Sequence, residues 1–210
     1  MYLSKDIVQR FTQNRLKFNG FVSYRSIATR LRSTFSDYNN LKFKIVKIED
    51  LDVNEFSVGG LYDQNSNTKY IILNVSKYSE EMLFDTFLWK DFSFLVSQTI
   101  QHETIHQDQF KHRKETDEKP EIDFRFTPQD TVEDRYYLAD NDEIDAYAHD
   151  IAMEIKHFYP LNNPYDVLKS INSKRKLPSF SYYKNTFKGC EWGDIKKRLL
   201  LKTYKWIPHV

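Results

Sequence analysis

The 210-residue chain holds a single cysteine, Cys190, so no disulfide can form within it, a usage that suits a reducing compartment. Glycine and proline are scarce, at five and six residues. Hydrophobic residues still make up 40% of the chain and aromatics 16%, which excludes disorder of the whole. No apolar run approaches the roughly 20 residues that cross a bilayer. The opening residues alternate charged with apolar side chains rather than building a signal-peptide core. A cytoplasmic protein with no membrane partner is therefore expected. An excess of one charge is missing too: 31 basic side chains stand against 30 acidic ones, a net +1, which argues against nucleic acid as a partner.

What is present suits one domain with a full core, with no internal repeat or linker to divide it. Residues 4–18 and 23–35 carry helical periodicity, with Ile7, Phe11 and Leu16, then Ile27, Leu31 and Phe35, spaced for one face each. Asn19-Gly20 between them is a turn signal. From Leu41 the period shortens, and segments around 43–48, 56–62 and 70–75 predict a small antiparallel meander. Gly59-Gly60 inside its second strand marks a bulge, a close approach by another backbone, or a simple irregularity of the turn.

A long helix is predicted from about Ser79, whose hydroxyl would cap it ahead of Glu80 and Glu81. Leu88, Phe92, Leu95, Thr99, His102, His106 and Gln109 would form its buried stripe. Residues 111–130, charged and broken by Pro120 and Pro128, read as a surface loop. A second long helix is predicted from Asp140 or Asp142 to about Phe158, ended by Pro160 and Pro164. A short helix near 165–171, a basic loop around Lys174-Arg175-Lys176 that reads as solvated surface, and a last helix near 193–204 complete the chain. Trp89, Trp192 and Trp206 suit anchors for the terminal helices, and Cys190 has no partners that would activate it.

The chemistry concentrates in His102-Glu103-Thr104-Ile105-His106, an H-E-x-x-H pentapeptide. On a helix, imidazoles at i and i+4 share one face and can grip one zinc ion, while the intervening glutamate is placed to work on a water. Zinc that does chemistry usually takes three protein ligands, so a third is needed. The segment 142–150, rich in acids and carrying His149, offers it.

Here the sequence resembles the gluzincin type of zincin metallopeptidase, in which H-E-x-x-H on one helix is completed by a glutamate on the next. The likeness is to small zinc peptidases found in phage and prophage genomes, with H-E-x-x-H-x-x-Q followed by an E-I-x-A-x-A helix. His102 to Gln109 and Glu143 to Ala148 carry it. The resemblance implies an α+β, zincin-like fold: a small antiparallel sheet on the active-site helix, a glutamate helix, and helical N- and C-terminal extensions. It also implies one Zn2+ per chain on His102, His106 and Glu143, with Glu103 as general base for peptide hydrolysis of a protein or peptide substrate. Ala146 and Ala148 would let the two helices approach. Asp145 is the alternative third ligand, or an acceptor for the free N–H of a ligand imidazole. His149, Tyr147, Tyr137 and Tyr136 are candidates to steady the oxyanion. The 56–75 hairpin could present an edge strand to the substrate backbone. A non-catalytic phage structural or accessory protein that keeps such a fold and a structural zinc is the alternative function, marked by His149 or Asp145 closing the fourth position.

Overall fold

Two patterns of alternation and a set of amphipathic helices build an α+β arrangement. The computed structural model describes residues 3–15, 18–113, 131–171 and 177–210. The chain divides into two compact units, Met1–Gln107 and Asp108–Val210.

In the first unit, helices α1 (Leu3–Asn14) and α2 (Tyr24–Thr34) flank a short strand β1 (Gly20–Ser23). Gly20 takes the left-handed φ of +70° that the Asn19-Gly20 turn signal demands. Ser23 caps α2 by accepting from the Ser26 N–H at 3.2 Å. Strands β2 (Leu41–Ile48), β3 (Phe56–Asp63) and β4 (Thr68–Ser76) form a sheet in the order β2-β4-β3. The hairpin β3–β4 is antiparallel as expected, but β2 lies on the far edge of β4 and runs parallel to it. The meander is thus corrected to a mixed sheet. A meander needs a tight turn after β2, and residues 49–55 contain no hairpin dipeptide. This seven-residue connection, built of turns with Asn54 at φ +72°, is long enough to span the two strand spacings, about 9.6 Å, needed to step past β4.

The helix predicted from Ser79 begins later. Residues Glu81–Phe84 form β5, paired antiparallel with β1 in a separate two-stranded ribbon. Met82 and Phe84 point inward and Glu81 and Leu83 outward, a strand period that outweighs the acidic capping signal. Ser79 instead closes a local turn, accepting from the Glu81 N–H at 3.2 Å. Helix α3 (Thr86–Arg113) starts behind Asp85, whose Oδ1 accepts from the Leu88 N–H at 2.7 Å. Its buried line is Trp89, Phe92, Val96, Ile100, Glu103 and Gln107. The expected stripe through Leu88, Leu95, Thr99 and the histidines is half-buried and flanks that line, the helix being turned so that Trp89 and Phe92 enter the core. Trp89 packs on Phe11 and Phe18 at centroid distances of 5.7 and 4.7 Å, tying α1 to the core.

In the second unit, α4 (Thr131–Ala139), α5 (Asn141–Phe158), α6 (Pro164–Lys169), α7 (Pro178–Thr186) and α8 (Gly189–Trp206) surround a separate core, closed by a 3-10 turn at Ile207–His209. Ile144, Ala148, Ile151, Ala152 and Ile155 form the spine of α5 in that core. Pro164 opens α6 behind an Asn163 cap. Helices α4 and α7 were not expected from the sequence, and α8 begins before residue 193. Trp192 meets Phe180 at 5.4 Å. Lys111, His112 and Arg113, at the head of the stretch read as a loop, form the last turn of α3, in keeping with the helix end near residue 112 that the sequence leads one to expect. The remainder of that loop, 114–130, and the basic run 174–176 lie outside the described residues. Among the described residues no helix is long and apolar enough to cross a membrane.

Candidate metal centre

Successive residues on α3 turn by about 100°, so His102 and His106 share one side while Glu103 points to another. The two imidazoles stand edge to face with centroids 4.8 Å apart, both half-buried. Glu103 is buried, at 5% exposure, against β3. A Cβ on residue 60 would overlap its Oε1 and stand 2.7 Å from its Cδ and Cγ, so Gly60 is the hollow that receives the carboxylate. Gly60 itself is exposed, so solvent reaches the strand beside a buried acid. The Gly59-Gly60 signal therefore marks a close approach, made by a side chain rather than a backbone.

Next to this hollow, Lys69 of β4 is buried to 6% exposure. Its Nζ donates to Thr104 Oγ1 at 3.2 Å and Gln107 Oε1 at 2.9 Å. Gln107 Nε2 donates in turn to Asn67 Oδ1 at 2.7 Å, which also accepts from the Tyr62 hydroxyl at 2.9 Å. Sequence reasoning passed over Lys69, although the signal existed: it stands in phase with the inward residues Ile71, Leu73 and Val75.

In the second unit, Asp140 caps α5, accepting from the Asp142 N–H at 2.8 Å, and Asp142 and Glu143 occupy the first turn, where the helix dipole favours acids. The end of α3 grips this turn: Gln109 Nε2 donates to the Asp142 carbonyl at 3.2 Å, and Arg113 pairs with the Asp142 carboxylate. Glu143 is buried, at 6% exposure.

The other expected site residues of α5 face different neighbours. Asp145 accepts from Trp206 Nε1 at 3.2 Å and pairs with Lys202 at 3.1 Å. His149 is buried edge-on against Trp206 at 5.0 Å, with Nδ1 3.8 Å from Asp150 Oδ1. Tyr147 packs on Tyr183 and Tyr182 at 5.1 and 6.0 Å. Tyr137 is half-buried against the second core, and Tyr136 is 78% exposed. Burial, then the nearby Tyr147 and Glu143, pushes the Tyr183 phenol well above its usual value, and it donates to the Leu138 carbonyl at 3.0 Å.

His102, His106 and Glu143 each offer one ligand atom, and these atoms lie within 4.8 Å of one another. Two imidazoles and a carboxylate at that separation could hold a metal ion, whose identity the donors alone leave open among the divalent transition metals. No family model, curated protein or solved structure matches the chain.

Proposed function

We propose that the chain is a zinc-dependent metallopeptidase of gluzincin type, with a protein or peptide as substrate. The reading is carried by the His102, His106 and Glu143 group, whose donor set is one that catalytic zinc takes in peptidases. A structural zinc would call for a fourth protein ligand, the part expected of Asp145 or His149; Asp145 is engaged by Trp206 and Lys202 and His149 packs on Trp206, which favours catalysis over the non-catalytic alternative.

When bound, zinc supplies a Lewis acid that lowers the pKa of a coordinated water and polarises a carbonyl. The chain's own contribution is Glu103, a buried carboxylate beside a solvent-reached strand. It takes the proton of the attacking water and returns it to the departing amine nitrogen as the C–N bond breaks. Strand β3 is paired on one side only among the described residues, and its free edge is suited to line up an extended peptide.

Elemental mass spectrometry of the purified chain and its variants tests this. About one zinc per chain is expected, lost in His102→Ala, His106→Ala and Glu143→Ala. Glu103→Gln should keep the metal and lose cleavage of fluorescein-labelled casein. No uptake of supplied zinc, or cleavage undiminished in Glu103→Gln, would sink the proposal.

A further inference from the structure

Glu103 and Lys69 are both more than nine-tenths buried, yet they come from different elements. The sheet register relates them. Gly60 pairs with Ile71 and Tyr62 pairs with Lys69, so the Gly60 hollow and Lys69 are diagonal neighbours on one sheet face. The Lys69 ammonium reaches Thr104 and Gln107, the residue after Glu103 and the residue one turn on. A buried ammonium is stabilised by a carboxylate close by, and the one seated over Gly60 stands diagonal to Lys69 on the same sheet face.

We infer that Lys69 is the positioning residue for Glu103: it fixes the rotation of α3 over the sheet and holds the carboxylate in the Gly60 hollow. Its catalytic consequence rests on the peptidase proposal, but the pairing itself does not. Turning α3 by one residue, about 100°, would break both Lys69 hydrogen bonds and swing Glu103 out of the hollow. The Gln107–Asn67–Tyr62 chain of hydrogen bonds braces the same rotation from the hairpin turn.

A double-mutant cycle, read by urea unfolding in a chelating buffer, tests the pairing with no metal present. Lys69→Met should lower the folding equilibrium constant at least about tenfold more in the native background than in Glu103→Gln. Equal effects in the two backgrounds would overturn the inference, whatever the metal content of the chain. Kinetics with labelled casein supply the second reading. Lys69→Met should keep its zinc and its KM and lose kcat about tenfold or more, with part regained in Lys69→Arg. A Lys69→Met protein of unchanged kcat would deny Lys69 any positioning role. If the native chain binds no zinc and cleaves nothing, the peptidase proposal fails, and the unfolding cycle still decides the pairing.

Discussion

The carboxylate of Glu103 occupies the volume that any side chain on Gly60 would need. Gly60 does not adopt a left-handed conformation, so the constraint is steric rather than torsional. Gly60→Ala should therefore destabilise the protein by about 1–3 kcal/mol in urea unfolding, as overpacking does. Gly59→Ala, with nothing within 4 Å of its added carbon, is the control and should cost far less. Combining Gly60→Ala with Glu103→Ala should recover much of the loss. Equal costs at positions 59 and 60 would contradict the close approach.

The grip of Gln109 and Arg113 on Asp142 sets the position of the turn that carries Glu143. Gln109→Ala should weaken zinc binding roughly 10- to 100-fold, the usual effect of removing a group that orients a ligand. Asp145→Ala should leave affinity nearly unchanged, because that carboxylate is engaged by Trp206 and Lys202. Competition against a chromophoric chelator measures both. Equal losses in the two variants would show that Asp145 takes part in the site.

Glu154 has 1% exposure and supplies the cap that α7 lacks within its own sequence. Its carboxylate accepts from the Ser179 N–H at 3.0 and 3.2 Å and from the Ser179 hydroxyl at 2.6 Å. Glu154→Ala leaves those donors unsatisfied and should cost about 2–3 kcal/mol, with Glu154→Gln falling between. Thermal unfolding reads the order of the three proteins.

Tyr38 donates to Asp6 at 2.6 Å, and Arg10 joins Asp6 to Asp37. Burial first, and then this hydrogen bond, pushes the Tyr38 phenol from 10.0 up to about 12. A raised folded pKa gives stability that is whole below the unfolded value and lost as pH rises from about 10 through 12. The Asp6 carboxyl is held below its usual 3.8, chiefly by Tyr38 and then by Arg10, so its share is lost as pH falls through that lowered value. Unfolding free energies of the native protein and Tyr38→Phe should converge above pH 12, and identical pH profiles would count against both shifts.

Local signals gave the helices around both halves of the site. The i, i+4 histidines and the capped, acid-led start of α5 depend on neighbours in sequence; the histidines do lie on a helix and α5 formed close to its expected bounds, although α3 starts seven residues later than expected. What escaped was set by partners distant in sequence. Residues 81–84 are a strand because β1 is there to pair with them, and no property of Ser79-Glu80-Glu81 announces that. The parallel placing of β2 likewise depends on which edge of β4 is open. Lys69 was visible as a lysine in the inward phase of an apolar strand, but its acceptors, Thr104 and Gln107, lie more than thirty residues on.

The parallel seat of β2 on β4 also bears on how the chain reaches its fold. The β3–β4 hairpin closes through a short turn in which Asp63 Oδ1 accepts from the Asn65 N–H at 3.0 Å, so it can form from local contacts alone. Leu41 has to find Lys69, and Ile48 has to find Ser76, across a far longer loop than the hairpin closes, so this pairing is expected to follow the hairpin. Substitutions in the hairpin turn should therefore slow folding, whereas substitutions in β2 should act mainly by hastening unfolding. The strand that comes first in the sequence of this sheet is thus expected to be the last one added to it.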